Sequence, residues 1–184
     1  MVEYMRIAPL IIGIILILVT VVGLVGYSGS GETDVPVIPC PTNPLEPDKC
    51  YAGMTLADLE VPTQFSILSI KISIEWSQAE STWVGVIPAS DATECPPDSQ
   101  GLTSCEANDL NFVSGGTDSI GGEGLEWSVD PGKYRLATGS ISSEANPTAA
   151  NIVSYDYTAR LSWFVATITF LFGSTMLVAG IEFE

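Results

Sequence analysis

Five acidic residues, Asp91, Glu94, Asp98, Glu106 and Asp109, fall close together in the middle of the chain. Cys95 and Cys105 stand among them, so a bridge between these two thiols would pin the carboxylates onto one loop. Carboxylates and backbone carbonyls on such a loop are the oxygens a calcium ion takes, roughly six to eight at a time. The spacing lacks the D-x-D-x-D-G core of an EF-hand, so the plainer expectation is a solvated loop, with calcium the only cofactor this chemistry suggests. Paired carboxylates also hydrolyse glycosides, and nothing in the spacing singles out such a pair.

Histidine is absent from the chain. That removes the commonest general base and the commonest zinc and copper ligand at neutral pH. A Ser–His–Asp triad, a Cys–His pair, a cupredoxin-type copper centre and a His-based zinc hydrolase are all excluded. The glycine-rich run SGGTDSIGGEG carries no lysine and leads into no helical pattern, so it reads as a connection between strands and not as a phosphate cradle. No asparagine stands in an N-x-[ST] acceptor, since Asn146 precedes Pro147.

Cysteine is confined to Cys40, Cys50, Cys95 and Cys105. Four thiols allow three connectivities. Local pairing, Cys40 with Cys50 and Cys95 with Cys105, is favoured because each pair would close a short loop of turn residues, PTNPLEPDK and PPDSQGLTS. A four-thiolate zinc site fits poorly, since zinc knuckles use much closer spacing. Disulfides imply an oxidising, extracytoplasmic compartment.

The stretches that must carry this loop begin with Ile7–Val25, IAPLIIGIILILVTVVGLV, in which no residue is charged. At about 1.5 Å per residue it is long enough to cross a hydrocarbon core. It exceeds the apolar core of a signal peptide, and no A-x-A-like cleavage site follows, so an uncleaved anchor is expected. Residues 161–181 form a second uncharged apolar run. Two spans place everything between them on one side of the bilayer. Arg6 before the first span points to a cytoplasmic end, and Tyr4, Tyr27, Arg160 and Trp163 stand where interfacial residues belong. Gly13, Thr20 and Gly23 in the first span, and Ser162, Ala166, Thr169, Gly173 and Gly180 in the second, make small-residue rows. Such rows let helices approach closely, within the chain or between subunits of a homo-oligomer or other complex.

The expected organisation is a tail at 1–6, a transmembrane helix at 7–26, a Gly/Ser then Pro-rich leader at 27–62 held outside the sheet, a β-domain at 63–160, a second transmembrane helix at 161–181, and a tail at 182–184. Residues 54–60 read as one helical turn. Leu68, Ile70, Ile72, Ile74 and Trp76 alternate with polar residues, which predicts a strand over 65–76 with a bulge at Ile67 and Leu68. Further strands are predicted at 82–87, 110–113, 125–129, 134–138 and 152–159. The first two of these six pair as a hairpin across SQAES, and 125–129 pairs with 134–138 across D-P-G.

Strands without long helices between them predict a mainly β fold: a small antiparallel β-sandwich, jelly-roll or Ig-like, bracketed by two transmembrane helices. The net charge of −16 repels nucleic acid. The function expected is non-enzymatic: a cell-membrane, two-pass protein with residues 27–160 extracytoplasmic, acting as a binding, accessory or structural subunit. A calcium- or glycan-binding adhesion module and a hydrolase using paired carboxylates are the alternatives.

Overall fold

The computed structural model describes residues 2–40, 49–119, 124–141 and 150–182. The interior of the first cysteine loop, part of the glycine-rich run, the 142–149 connection and the final two residues therefore lie outside the described residues, as do the side chains of Tyr4 and Arg6. The chain forms two compact units. One comprises Met1–Ser28, Ser66–Ile70 and Thr158–Glu184; the other comprises Gly29–Phe65 and Lys71–Tyr157.

In the first unit, helix α1 (Val2–Val25) packs against helix α3 (Trp163–Glu182), the helix closest to the C-terminus. Each contains a 19-residue stretch long and apolar enough to cross a membrane, Ile7–Val25 and Trp163–Ile181. The two run antiparallel, because Gly23 lies against Leu161, Gly13 against Gly173, and Gly180 against Leu10. A Cβ at Gly13 would stand 2.8 Å from the Gly173 carbonyl oxygen, so only glycine permits this approach. Thr20 and Ala166 are buried in the same seam. The small-residue rows thus face each other within one chain.

Hydroxyls in both helices are satisfied locally. Thr20 Oγ1 donates to Leu16 O, Thr169 Oγ1 to Val165 O and Ser174 Oγ to Phe170 O, each at 2.8 Å. Back-bonding of this kind removes the cost of an orphan donor in an apolar surround. The remaining faces, with Ile15, Leu18, Val22, Leu171 and Phe172, are apolar and exposed.

Among the described residues, ten strands supply two sheets; they belong to the second unit except for residues 27–28, 68–70 and 158–161, which fall in the first. They are β1 (Tyr27–Pro36), β2 (Tyr51–Met54), β3 (Leu59–Val61), β4 (Leu68–Trp76), β5 (Thr82–Pro88), β6 (Leu102–Glu106), β7 (Ser114–Gly115), β8 (Leu125–Val129), β9 (Gly132–Ser140) and β10 (Ala150–Leu161). A one-turn helix, α2 (Asp91–Glu94), lies between β5 and β6. The sheet orders are β1-β10-β4-β8 and β6-β2-β9-β5-β7, with β3 also on β9. The pairing is nested: β1 with β10, β2 with β9, β4 with β8 and β5 with β7.

That nesting overturns both expected hairpins. β4 and β5 belong to different sheets, as do β8 and β9. The turns at 77–81 and at Asp130–Pro131 carry the chain across the core instead of back along the same sheet. Alternation specifies which side chains point inward, and a turn satisfies its own backbone either way. Inward faces that meet across the gap decide the pairing. Trp127 on β8 packs edge-on against Tyr134 on β9, with ring centroids 4.7 Å apart. The Trp76 indole on β4 donates to Thr82 O on β5 at 3.1 Å.

Several further expectations are corrected. The leader is part of both sheets: β1 holds an edge, and β2 lies between β6 and β9, with Met54 fully buried. The glycines of SGSGE are not a flexible exit. A Cβ at Gly29 would approach Tyr157 Oη to 2.5 Å, and one at Gly31 would overlap the Tyr155 ring. The neighbouring strand's tyrosines fill the space that these glycines leave. Residues 54–60 are not helical, since Thr55 N donates to Leu136 O at 2.9 Å and the chain continues into β3 along the same strand. The predicted 65–76 strand starts at Leu68, after a 3-10 turn at Thr63–Ile67 in place of a bulge. The 110–113 strand is displaced to Ser114–Gly115.

Candidate functional site

The acidic loop is a lid on the second face of the larger sheet. β5 is buried along nearly its whole length because both its faces are covered. Thr82 and Thr138 are fully buried, and β5 and β9 pair with Val84 beside Thr138 and Gly85 beside Ala137. On the face carrying Trp83, Ile87 and Ala137, the lid supplies Cys95 and Leu110, with Phe112 and Cys105 at the margin. Trp83 and Phe112 meet edge to face at 5.4 Å, and the missing Cβ of Gly85 makes room for the Phe112 ring.

Cys95 is bonded to Cys105, and Cys40 to Cys50, as the spacing led one to expect. Thr103 Oγ1 donates to Ala52 O at 2.6 Å, and Met54 N donates to Gly101 O at 2.8 Å, so the lid is tied to β2. Gly101 has φ +83°, a conformation that favours glycine at this turn.

The five acidic residues are distributed along this lid. Asp91 is buried, and its Oδ2 accepts Asn111 N at 2.7 Å while Oδ1 accepts Asn111 Nδ2 at 3.4 Å. Asp98 Oδ1 accepts both Gln100 N at 2.8 Å and Leu102 N at 2.9 Å, closing the turn before β6. Asp109 Oδ2 accepts Glu106 N at 2.9 Å, and Glu106 caps the same 3-10 turn in return. Glu94 stands exposed. Three of the carboxylates therefore hold backbone N–H groups of the lid itself, which is what an aspartate in a tight loop does best. Among the described residues, no group of three or more His, Cys, Asp or Glu side chains is arranged to hold a metal ion. A cleft beside the lid, bordered by Trp83, Asn108, Thr117 and Ser140, has Glu106 on its rim and none of the other four.

Sequence reasoning missed the apolar half of this loop. Leu110 and Phe112 read as a strand of their own, whereas they anchor the lid. It also missed the fully buried Asn151, whose side-chain hydrogen bonds join β10 to β5 and to the turn that precedes β5. The only signal available was a lone polar residue opening an alternating stretch.

The second candidate surface is the outward side of the α1 and α3 pair. It is apolar along both 19-residue stretches. Tyr27, Trp163 and Phe164 are strongly exposed at the helix ends where the strands begin and finish. No protein-family model and no curated protein matches this chain.

Proposed function

We propose that this is a two-pass protein of the cell membrane whose acidic, disulfide-bonded β-domain, residues 27–160, lies outside the cytoplasm and acts as a non-enzymatic binding, accessory or structural subunit of a membrane or cell-surface assembly. The observation that carries the reading is the seam of α1 and α3. Their small residues face each other, and their outward faces are left apolar, as a hairpin of spans in lipid requires. Both disulfides support the extracytoplasmic side. The absence of histidine from the chain supports the non-enzymatic part.

The β-domain is of the jelly-roll class. Setting aside β3 and β6, eight strands pair first with last and inward from there, and the two crossings at 77–81 and Asp130–Pro131 alternate sheets. A long hairpin rolled upon itself produces this order, and an Ig-like order does not. The lipid bilayer is one partner; a protein is the other. With the small-residue seam occupied inside the chain, the acidic β-domain is the surface left for that partner.

Impermeant thiol labelling of intact cells after reduction tests the topology, and native mass measurement in membrane-derived nanodiscs tests the assembly. Labelling with cells intact, together with a particle heavier than one chain, is expected. Labelling only in broken cells would overturn the extracytoplasmic assignment. A lone chain in every particle would overturn the subunit reading.

A further inference from the structure

We propose that Ile67, which ends the turn Thr63–Ile67, is a third membrane-contact element, seated in the lipid interface beside the start of α3. This inference rests on the reading of α1 and α3 as membrane spans. It begins from a segment that does nothing for the core. Residues 61–70, VPTQFSILSI, hold no charge in a chain of net charge −16. Residues 62–67 are exposed without a break, and the turn buries no side chain. Ile67 is 50% exposed. Phe65 is exposed as well, and two exposed apolar side chains in an uncharged stretch of an acidic protein call for a cover that is itself apolar.

The position of the turn identifies that cover. The Ile67 carbonyl accepts Ser162 N at 2.9 Å. Ser162 is the residue before α3, and its own carbonyl accepts Ala166 N at 2.9 Å in the first turn of that helix. Ile67 is thus fixed at the level where the apolar stretch Trp163–Ile181 begins. Trp163 and Phe164 stand there, 78% and 73% exposed. At the facing end of α1, Gly26 abuts Ala159 and Arg160, and Tyr27 follows it, 68% exposed. Tyr27, Ile67, Trp163 and Phe164 form one belt, continuous with the lipid-facing sides of both helices. Aromatic rings favour the headgroup level, and Arg160 reaches the phosphates from the same place. The occupant is therefore lipid. The contact is assembled from three distant parts of the chain.

A benzophenone side chain carried separately at position 67, at position 18 and at position 94 of the full chain, in phosphatidylcholine nanodiscs, tests this by photo-crosslinking. Leu18 is the outward-facing span position, and Glu94 the exposed charged one. Lipid adducts at 67 and 18 should exceed those at 94 by about tenfold or more. Adducts at 18 with none at 67 would overturn this inference and leave the spans intact. Failure at both 18 and 67 would overturn the spans and the inference together. Crosslinking of position 67 to a second protein chain in place of lipid would also overturn it.

Discussion

Asn151 Nδ2 donates to Thr82 Oγ1 at 2.8 Å, and both residues are fully buried. The bond joins β10 in one sheet to β5 in the other. Asn151 Oδ1 accepts Ser77 Oγ and Gln78 N, each at 3.1 Å, and Thr82 Oγ1 donates onward to Gln78 O at 2.8 Å. Every polar atom of the Asn151 amide group is used, and the crossing from β4 to β5 is closed by the same bonds.

Asn151→Leu should therefore destabilise strongly, by roughly 2–4 kcal/mol, because it removes the acceptor of Gln78 N and of Ser77 Oγ and the donor to the Thr82 hydroxyl. Thr82→Val in the Asn151→Leu background should cost clearly less than it does alone. Urea unfolding of the full chain in mild detergent, read as a double-mutant cycle, checks this. Additive costs would mean that the two residues do not act together.

The pairing of Gly31 with Tyr155 predicts a change of sign. Gly31→Ala should destabilise by roughly 1–3 kcal/mol in the native background, where the methyl meets the tyrosine ring. After Tyr155→Ala the same change should be neutral or stabilising, by up to about 1 kcal/mol, since alanine orders the unfolded chain less expensively than glycine. Unfolding midpoints of the four proteins decide the matter. An identical cost in both backgrounds would show that the glycine serves the backbone and not the ring.

The two disulfides close equal separations of 10 residues, so chain entropy alone predicts equal losses of roughly 2–4 kcal/mol on removal. Replacing Cys95 and Cys105 by serine should cost more than replacing Cys40 and Cys50. Cys40 and Cys95 are about equally buried, 5% and 3% exposed, so the difference rests on the lid: the Cys95–Cys105 bridge fastens the segment carrying Leu110 and Phe112 onto the cluster around Trp83. Thermal unfolding of both double variants compares them, and an equal loss would contradict the lid.

In the helical unit, Gly13→Leu should cost roughly 1–3 kcal/mol by forcing α1 away from Gly173 and Leu177. Leu18→Ala on the outward side should be near silent in detergent. Loss of helical circular dichroism with rising SDS fraction measures both. Equal sensitivity at the two positions would argue against the seam.

Burial, with Asp130 as the smaller cause, raises the Tyr134 phenol above its ordinary value of 10.0. The folded chain keeps the neutral phenol longer than the unfolded one. This contribution to stability is fully present below about pH 10 and is lost as pH rises from there through the folded-state value. Tyr134→Phe should cost about 1 kcal/mol at neutral pH, through the lost hydrogen bond to Asp130 O at 2.9 Å, and should flatten that alkaline decline. Parallel loss of stability in parent and variant above pH 10 would show that Tyr134 is not the group responsible.

Local chemistry was enough to read much of this protein. Uncharged runs at Ile7–Val25 and 161–181 are apolar whatever surrounds them, and the helices there follow from length. The alternation of Leu68 to Trp76 and of Leu125 to Val129 belongs to strands with one inward face, and both strands are present with those faces inward. Equal short spacings made local pairing of the cysteines the cheapest closure.

What lay beyond the sequence depended on partners distant along the chain. Whether Thr82 would pair back onto β4 or cross to the other sheet was settled by Asn151 and by the inward faces that meet there, since a turn is compatible with both. Gly29 and Gly31 read as flexibility until the tyrosines of β10 were seen to occupy their space. The acidic loop read as ligand chemistry because charge is visible in a sequence, whereas the backbone N–H groups that Asp91, Asp98 and Asp109 satisfy exist only once the loop has closed. Ile67, apolar and out of phase with its strand, acquired a role only when Ser162 was brought beside it. A period or a spacing is a property of neighbours in the chain; a register, a lid and an interfacial belt are properties of neighbours in space, and only the folded arrangement decides those.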